Sequence, residues 1–352
     1  MPPALMGDKT ILESEYYMKL TSGKKIDTNY YPGFVRKSVT FTIDDGNREY
    51  DTQFINIVKP AGLKGTFNLN RVTNATADEY LALYDGFEVA NHHQLHALPF
   101  RDPANYHTGR SFESILKDEI FNRDTADTAH AYKTNIEGFY YINYHYYSES
   151  YVGRTAWHSM ASDETYIKYT DITKDAIESV FGKGAVVGFA YPHGVYNEAV
   201  KQYMKDAGYL YARDTGNLKD KTGFSLPADR YEWTYNADVS CMLDVMAKYD
   251  AYEDDGNLKF FAFGVHSKDF VDKWNVLEEF AKLYGNRQSD FWYATNRQIF
   301  EYEDAVKALT INENCIVNNS DVALYIKINA EKTVIPANSV YYLDGRIKLQ
   351  QG

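Results

Sequence analysis

Two periods of apolar positions alternate along most of the chain. Val39-Thr40-Phe41-Thr42-Ile43 alternates apolar and hydroxyl side chains, the period of a half-buried strand. Phe54, Ile57, Val58 and Ala61 follow at helical spacing, and Gly65-Thr66-Phe67-Asn68-Leu69 reads as the next strand. Such a strand, loop, helix, strand unit predicts an α/β fold. Near the other end, Phe270, Trp274, Leu277, Phe280, Ala281 and Tyr284 form a helical apolar face closed by Gly285-Asn286. Phe291 to Thr295 reads as a last strand and Ile299 to Leu309 as a closing helix. From Thr310 the texture changes. Short alternating runs at Cys315 to Val317, Leu324 to Ile328 and Ser339 to Leu343 are split by Asn- and Pro-containing turns. They predict a small antiparallel β appendage, too short to fold alone and therefore packed on the main domain. The expected division is a lead-in over 1–34, a main domain over 35–309 and the appendage over 310–352.

Chemistry gathers where the first strand ends, at Asp44-Asp45-Gly46. Gly46 frees the backbone to turn, so both carboxylates can be aimed into one pocket. Open α/β sheets and barrels place their chemistry at that edge. Further on, His92 and His96 stand four apart in Ala90-Asn91-His92-His93-Gln94-Leu95-His96. On a helix or helical turn that spacing puts two imidazoles on one face, within reach of one ion. Two imidazoles with one carboxylate are a usual zinc set that leaves a position for water. Cobalt, nickel or manganese tolerate the same donors. A metalloprotease helix would carry glutamate directly after the first histidine, where this chain has His93. The base must therefore come from elsewhere, and the double aspartate, Asp44-Asp45, is the nearest candidate. Plain alternatives stay open: an Asp-Gly turn with solvated carboxylates, and a histidine pair on a surface turn.

Thr42-Ile43-Asp44-Asp45-Gly46 resembles the first motif of the polysaccharide deacetylases (carbohydrate esterase family four), and Asn91 to His96 is similar to their second. Phe189-Ala190-Tyr191-Pro192-His193-Gly194 matches the place and Pro-x-Gly ending of the third. Phe261 to His266 resembles the final apolar run closing on histidine. The resemblance spans roughly residues 35 to 300. It implies a distorted (β/α)7-type barrel with its site at the carboxyl ends of the strands. It implies further that Asp45, His92 and His96 hold the metal, that Asp44 is the base and that His266 is the acid. The turn at Tyr191 and His193 would face the oxyanion and substrate.

Departures from the family pattern matter. His93 stands where the family has a hydroxyl residue, either steadying the loop, the favoured role, or adding a ligand. The third motif normally opens on an arginine that orients the base, and here that position is Ala190. Arg213, in the strand-like run Tyr209 to Arg213, is a candidate replacement, with an ordinary surface pairing as the alternative. Asp229-Arg230-Tyr231-Glu232-Trp233 loosely echoes the fourth motif. It would make Asp229 the group that tunes His266 and Trp233 a groove-lining ring, unless Trp233 is core.

Composition narrows the partners. A net charge of −12 argues against nucleic acid, and no apolar stretch is long enough to span a membrane. Two cysteines, Cys241 and Cys315, are too few for a disulfide framework and read as buried free thiols. No leader is visible at the start. The expected location is nevertheless outside the cell or at its surface, with a cytoplasmic one open. Tyrosine, at 32 residues, concentrates around Phe139 to Tyr147, as a glycan groove or as a packed segment. His107, His130, His145 and His158 share that stretch without ligand-like spacing. The leading expectation is metal-dependent removal of N-acetyl groups from a sugar or polysaccharide by a metal-bound water. The alternatives are an O-acetyl esterase acting on xylan or another glycan, and a non-catalytic glycan binder on the same fold.

Overall fold

The computed structural model describes residues 20–21, 23–73, 75–99, 130–145, 155–215 and 224–350. Seven parallel strands form its centre: β1 (Lys37–Asp44), β2 (Gly65–Leu69), β3 (Glu88–Asn91), β4 (Gly188–Ala190), β5 (Tyr211–Arg213), β6 (Lys259–His266) and β7 (Phe291–Tyr293). They run in the order β5-β4-β3-β2-β1-β6, with β7 beside the first half of β1. Parallel bridges Arg213↔Trp233 and Ala237↔Phe263 carry the segment 233–237 between β5 and β6, closing the sheet on itself. This is a distorted (β/α)7 barrel. Helices α1 (Arg48–Val58), α2 (Ala77–Leu83), α3 (Asp163–Phe181), α4 (Glu198–Asp206), α5 (Met242–Asp250), α6 (Trp274–Tyr284) and α7 (Asn296–Ala308) accompany it.

Closure corrects one expectation. Strand β1 is buried on both faces, not one. Phe41 packs edge-on against Phe54 of α1 and Phe280 of α6, at 5.4 and 5.5 Å between ring centroids. The hydroxyls of Thr40 and Thr42, both fully buried, meet partners from distant strands and helices: Thr40 bonds Asn296 at 3.2 Å and Thr42 accepts from Asn68 at 2.9 Å. The alternation thus separates a helix-covered face from a polar barrel interior.

Register sets the row of side chains at the open end. Asp44 lies opposite His266 on one side and Asn68 on the other, and Asn68 lies opposite Ala90. Farther round, Ala190 is opposite Arg213.

The C-terminal strands are antiparallel, as the alternating runs predict: Cys315–Asn318, Leu324–Ile328 and Ser339–Tyr342, joined by Glu331–Ile335 and Ile347–Leu349. Leu324–Ile328 also pairs with Lys24–Tyr30 from the lead-in, so strands far apart in the chain meet in one sheet. Tyr302 and Val306 of α7 pack into the core beneath it with Ile26, Ile316 and Ile326. A further sheet, Phe139–His145 with Thr155–Ala161, His130–Lys133 and Leu98–Pro99, interrupts the barrel. The reading of Tyr140 to Tyr147 as a glycan groove, like His107, falls outside the described side chains. Both cysteines are free and half-buried rather than buried. Among the described residues, no helix is long and apolar enough to cross a membrane.

Candidate active site

Asp44 sits at the floor of the open end, 8% exposed. Its Oδ1 accepts from Arg213 Nη2 and, at 2.8 Å, from Asn68 Nδ2. Arg213 is 1% exposed, and its Nε and Nη1 donate to Thr42 Oγ1 at 3.1 Å and the Asp214 carbonyl at 2.9 Å. Because Ala190 and Arg213 are register partners, the cation missing from the third motif stands one strand across. Burial pushes the Asp44 carboxyl upward, but the adjacent guanidinium outweighs it and holds the group far below the usual carboxylate range. Asn68, which sequence reasoning passed over, was signalled by an amide set between the apolar Phe67 and Leu69.

Asp45 leaves β1 with a left-handed backbone, φ +77°, followed by Gly46 at +63°. Two consecutive residues in that region reverse the chain, and the second needs glycine least ambiguously. The turn presents Asp45 Oδ1 3.7 Å from His92 Nε2 and 3.6 Å from His96 Nε2. The histidines stand on a turn after β3, not on a helix, with His96 N–H donating to the His93 carbonyl at 2.8 Å. His92 Nδ1 donates to the Ala190 carbonyl at 2.8 Å, which leaves Nε2 as the free lone pair. Burial holds His92 below its ordinary value and His96 down to about 4, so both are neutral at pH 7. Ligand atoms from Asp45, His92 and His96 all lie within 4.8 Å of one another. A tetrahedral zinc with ~2.05 Å bonds has ligand–ligand edges of about 3.3 Å. The donor set therefore fits a divalent ion with small adjustments.

Opposite the histidines, the turn His266-Ser267-Lys268-Asp269 brings three further groups. His266 Nδ1 bonds Asp269 Oδ2 at 3.0 Å, and its Nε2 is 3.7 Å from Asp45 Oδ2. Burial pulls this imidazole down, but the hydrogen bond to Asp269 and the charges of Asp44 and Asp45 outweigh it and raise its pKa. Lys268 Nζ donates to Asp45 Oδ2 at 2.8 Å. Ser267 Oγ anchors the turn from below, donating at 2.6 Å to Asp51, a fully buried carboxyl on α1 that also accepts from Tyr84 OH at 2.7 Å. Burial raises Asp51 to about 7. Asp269 and Lys268 were missed; the i+3 spacing of His266 and Asp269 was the available signal.

The remaining candidates are placed as follows. His93 has both ring nitrogens committed: Nε2 donates to the Tyr166 carbonyl at 3.1 Å and Nδ1 accepts from Ala97 N–H at 3.4 Å. Its ring stacks on Tyr166 at 4.1 Å, so it braces the loop on α3 and has no lone pair for an ion. Tyr191 is fully buried, its hydroxyl donating to the Tyr231 carbonyl at 3.1 Å and its N–H to the Arg213 carbonyl at 2.8 Å. Both donors are thus spent away from an oxyanion. His193, φ +54°, stands edge-on to His96 with centroids 4.7 Å apart. The following Gly194 lies so close to Thr215 that an added Cβ would meet its backbone nitrogen at 2.3 Å. Asp229 does not reach His266. It pairs with Lys201 at 2.9 Å and Lys205 at 3.8 Å, and Asp269 takes the place expected for it. Trp233 is core, 2% exposed against Phe260 and Phe300, where its backbone helps close the barrel.

A carboxylate and two neutral imidazoles at the carboxyl end of a parallel barrel define a candidate mononuclear metal site. Residues 33–212, about half of the chain, match the family model for polysaccharide deacetylases, and the chain belongs to that family. No curated protein matches the sequence. Among solved structures it is similar to the Xyl-CE4 domain of a multidomain xylanase from the hindgut metagenome of Trinervitermes trinervoides. There the identity is 15% over 77% of this chain and 92% of that one, with a TM-score of 0.41. It is similar also to a family 4 carbohydrate esterase from Streptomyces lividans (14%, 70% and 88%, TM-score 0.38). A third is the peptidoglycan deacetylase PdaC from Bacillus subtilis (15%, 78% and 94%, TM-score 0.38).

Proposed function

We propose that this protein is a metal-dependent carbohydrate deacetylase that hydrolyses the N-acetyl group of an acetylated sugar or polysaccharide. The observation that carries the reading is the convergence of Asp45 Oδ1 on the Nε2 atoms of His92 and His96. Asp45, His92 and His96 would hold a divalent ion, zinc matching the donors best, and when bound it would supply Lewis acidity towards a water and the acyl oxygen.

The residues of the chain supply the rest. Asp44, kept ionised by Arg213, accepts the proton of the attacking water. His266, its basicity raised by Asp269, holds the proton that passes to the leaving nitrogen as the carbon–nitrogen bond breaks and acetate forms. The Asp44–Arg213 and His266–Asp269 pairs argue against a purely binding role, since binding a glycan needs neither. An acetylated glycan as substrate supports a location outside the cell or at its surface.

The test is acetate release from N-acetylglucosamine oligomers and, in parallel, from acetylated xylan. Chelation is expected to abolish release, added zinc or cobalt to restore it, and Asp45→Ala to lower it at least ~10²-fold. Turnover indifferent to chelator, or retained by Asp45→Ala, would contradict the reading. Turnover of xylan alone would move the scissile bond from amide to ester.

A further inference from the structure

Asp45 divides its two oxygens between different partners. Oδ1 faces the imidazoles of His92 and His96, while Oδ2 accepts a hydrogen bond from Lys268 Nζ at 2.8 Å. The backbone beneath Lys268 is fixed on both sides. Ser267 is tied to buried Asp51 at 2.6 Å, and Asp269 Oδ2 accepts the His266 N–H at 2.9 Å. The ammonium is thus delivered to the carboxylate by a braced turn, although the side chain itself is 47% exposed.

Charge counting gives the sign of its effect. Asp269 is paired with His266 within the turn. Of the remaining groups, Asp44 and Asp45 bring two negative charges, and Arg213 answers one through its bond to Asp44. Lys268 answers the other. A divalent ion on Oδ1 would add two positive charges to a site already balanced, and it would share one carboxylate with an ammonium. The hydrogen bond works in the other direction by steadying a carboxylate whose backbone is at φ +77°. The attraction between ammonium and carboxylate is present with or without an ion, so what changes on binding is the repulsion between ammonium and ion, which lowers affinity.

Resting on the reading of Asp45, His92 and His96 as metal ligands, we propose that Lys268 holds down the metal affinity of this site. It thereby keeps the ion exchangeable. The experiment is calorimetric titration of zinc into the full chain and into Lys268→Met, which keeps the aliphatic stem and removes the charge. Lys268→Arg is the conservative control. Lys268→Met should bind zinc roughly three- to tenfold more tightly, with Lys268→Arg close to the parent. The gap should narrow from low to high salt, because a half-exposed charge is screened. Equal affinity in Lys268→Met overturns the proposal. Weaker affinity overturns it too and makes Lys268 a positioning residue for Asp45. Asp45→Ala separates this failure from that of the underlying reading. If it binds zinc as well as the parent does, the metal reading itself is wrong; if it loses zinc while Lys268→Met matches the parent, only the role of Lys268 is.

Discussion

Arg213→Met tests the foundation of the site. The side chain is 1% exposed and donates to Asp44, to Thr42 Oγ1 at 3.1 Å and to the Asp214 carbonyl at 2.9 Å. Methionine fills a similar volume but carries no donor, so Asp44 is left as a buried carboxylate with only Asn68 Nδ2 bonded to it, at 2.8 Å. Removing one partner of a buried ion pair costs about 3–5 kcal/mol, most of it from the stranded charge. The second substitution isolates that component. Asp44→Asn in the parent strands Arg213 and should destabilise; added to Arg213→Met it removes the stranded charge and should restore about 2 kcal/mol.

The pH dependence reverses with it. In the parent, the folded-state pKa of Asp44 lies below the unfolded value, so its contribution to stability is present above ~3.9 and lost as pH falls through the folded pKa. In Arg213→Met burial dominates and the folded pKa rises above the unfolded one. Relative to the parent, that variant should therefore gain stability as pH is lowered from 7 towards 5. Urea denaturation followed by circular dichroism, for the parent, both single variants and the double variant at two pH values, measures every term. A cost below about 1 kcal/mol for Arg213→Met, or further loss on adding Asp44→Asn, would refute the reasoning.

Two further perturbations reach other parts of the site. Asp269→Asn removes the foremost influence raising His266, so the alkaline limb of the pH–rate profile, where the acid loses its proton, should move to lower pH. An unmoved limb would mean that Asp269 does not act through His266. His93→Ala should leave one ion bound per chain while costing about 2–4 kcal/mol, from the lost stack on Tyr166 and the cavity left in its place. Burial holds His93 down to about 3, below its unfolded value of ~6.5. Its contribution is therefore full above ~6.5 and disappears as pH falls towards 3, a slope that His93→Ala should lack. Loss of the bound ion in a folded His93→Ala protein would show His93 to be a ligand.

What the sequence disclosed depended on how local the deciding contact is. Strand β2 was legible to the residue, because a short apolar run closed by turn signals needs no distant information. The same reasoning read β1 as half-buried, since nothing local says that the sheet closes and hides its hydroxyl face. Arg213 could be named as a candidate for the missing cation but not assigned, because its pairing with Asp44 depends on the parallel register of β4 and β5. Asp229 looked suitable through an imperfect motif and turned out to serve Lys201, whereas Asp269 lay three residues from His266 in plain view. Pairing of Lys24–Tyr30 with Leu324–Ile328 joins residues far apart in the chain, beyond any periodicity.

Backbone conformation explains why this site needs the braced floor beneath it. Asp45, His93, His96 and His193 have φ of +77°, +55°, +48° and +54°, a region that costs a non-glycine residue about 1–2 kcal/mol. A helix would have spared His96 that cost at the same spacing, but it would have turned both imidazoles along its own face rather than across the barrel mouth towards Asp45. Left-handed turns at the strand ends aim side chains inward over the register row, which an ordinary strand exit does not do. The strain is held by contacts that lead away from the reacting groups. Asn91 Oδ1 accepts the His93 N–H at 2.9 Å, while Asn91 Nδ2 donates to the Thr170 carbonyl at 2.8 Å and Gln94 N–H to Thr173 Oγ1 at 2.9 Å, tying the turn to α3. Glycine at any of the three histidines would relax the backbone and delete a functional or bracing ring. The strained conformations are therefore maintained by the demand for aimed side chains, and the contacts of Asn91 and Gln94 with α3 hold them in place.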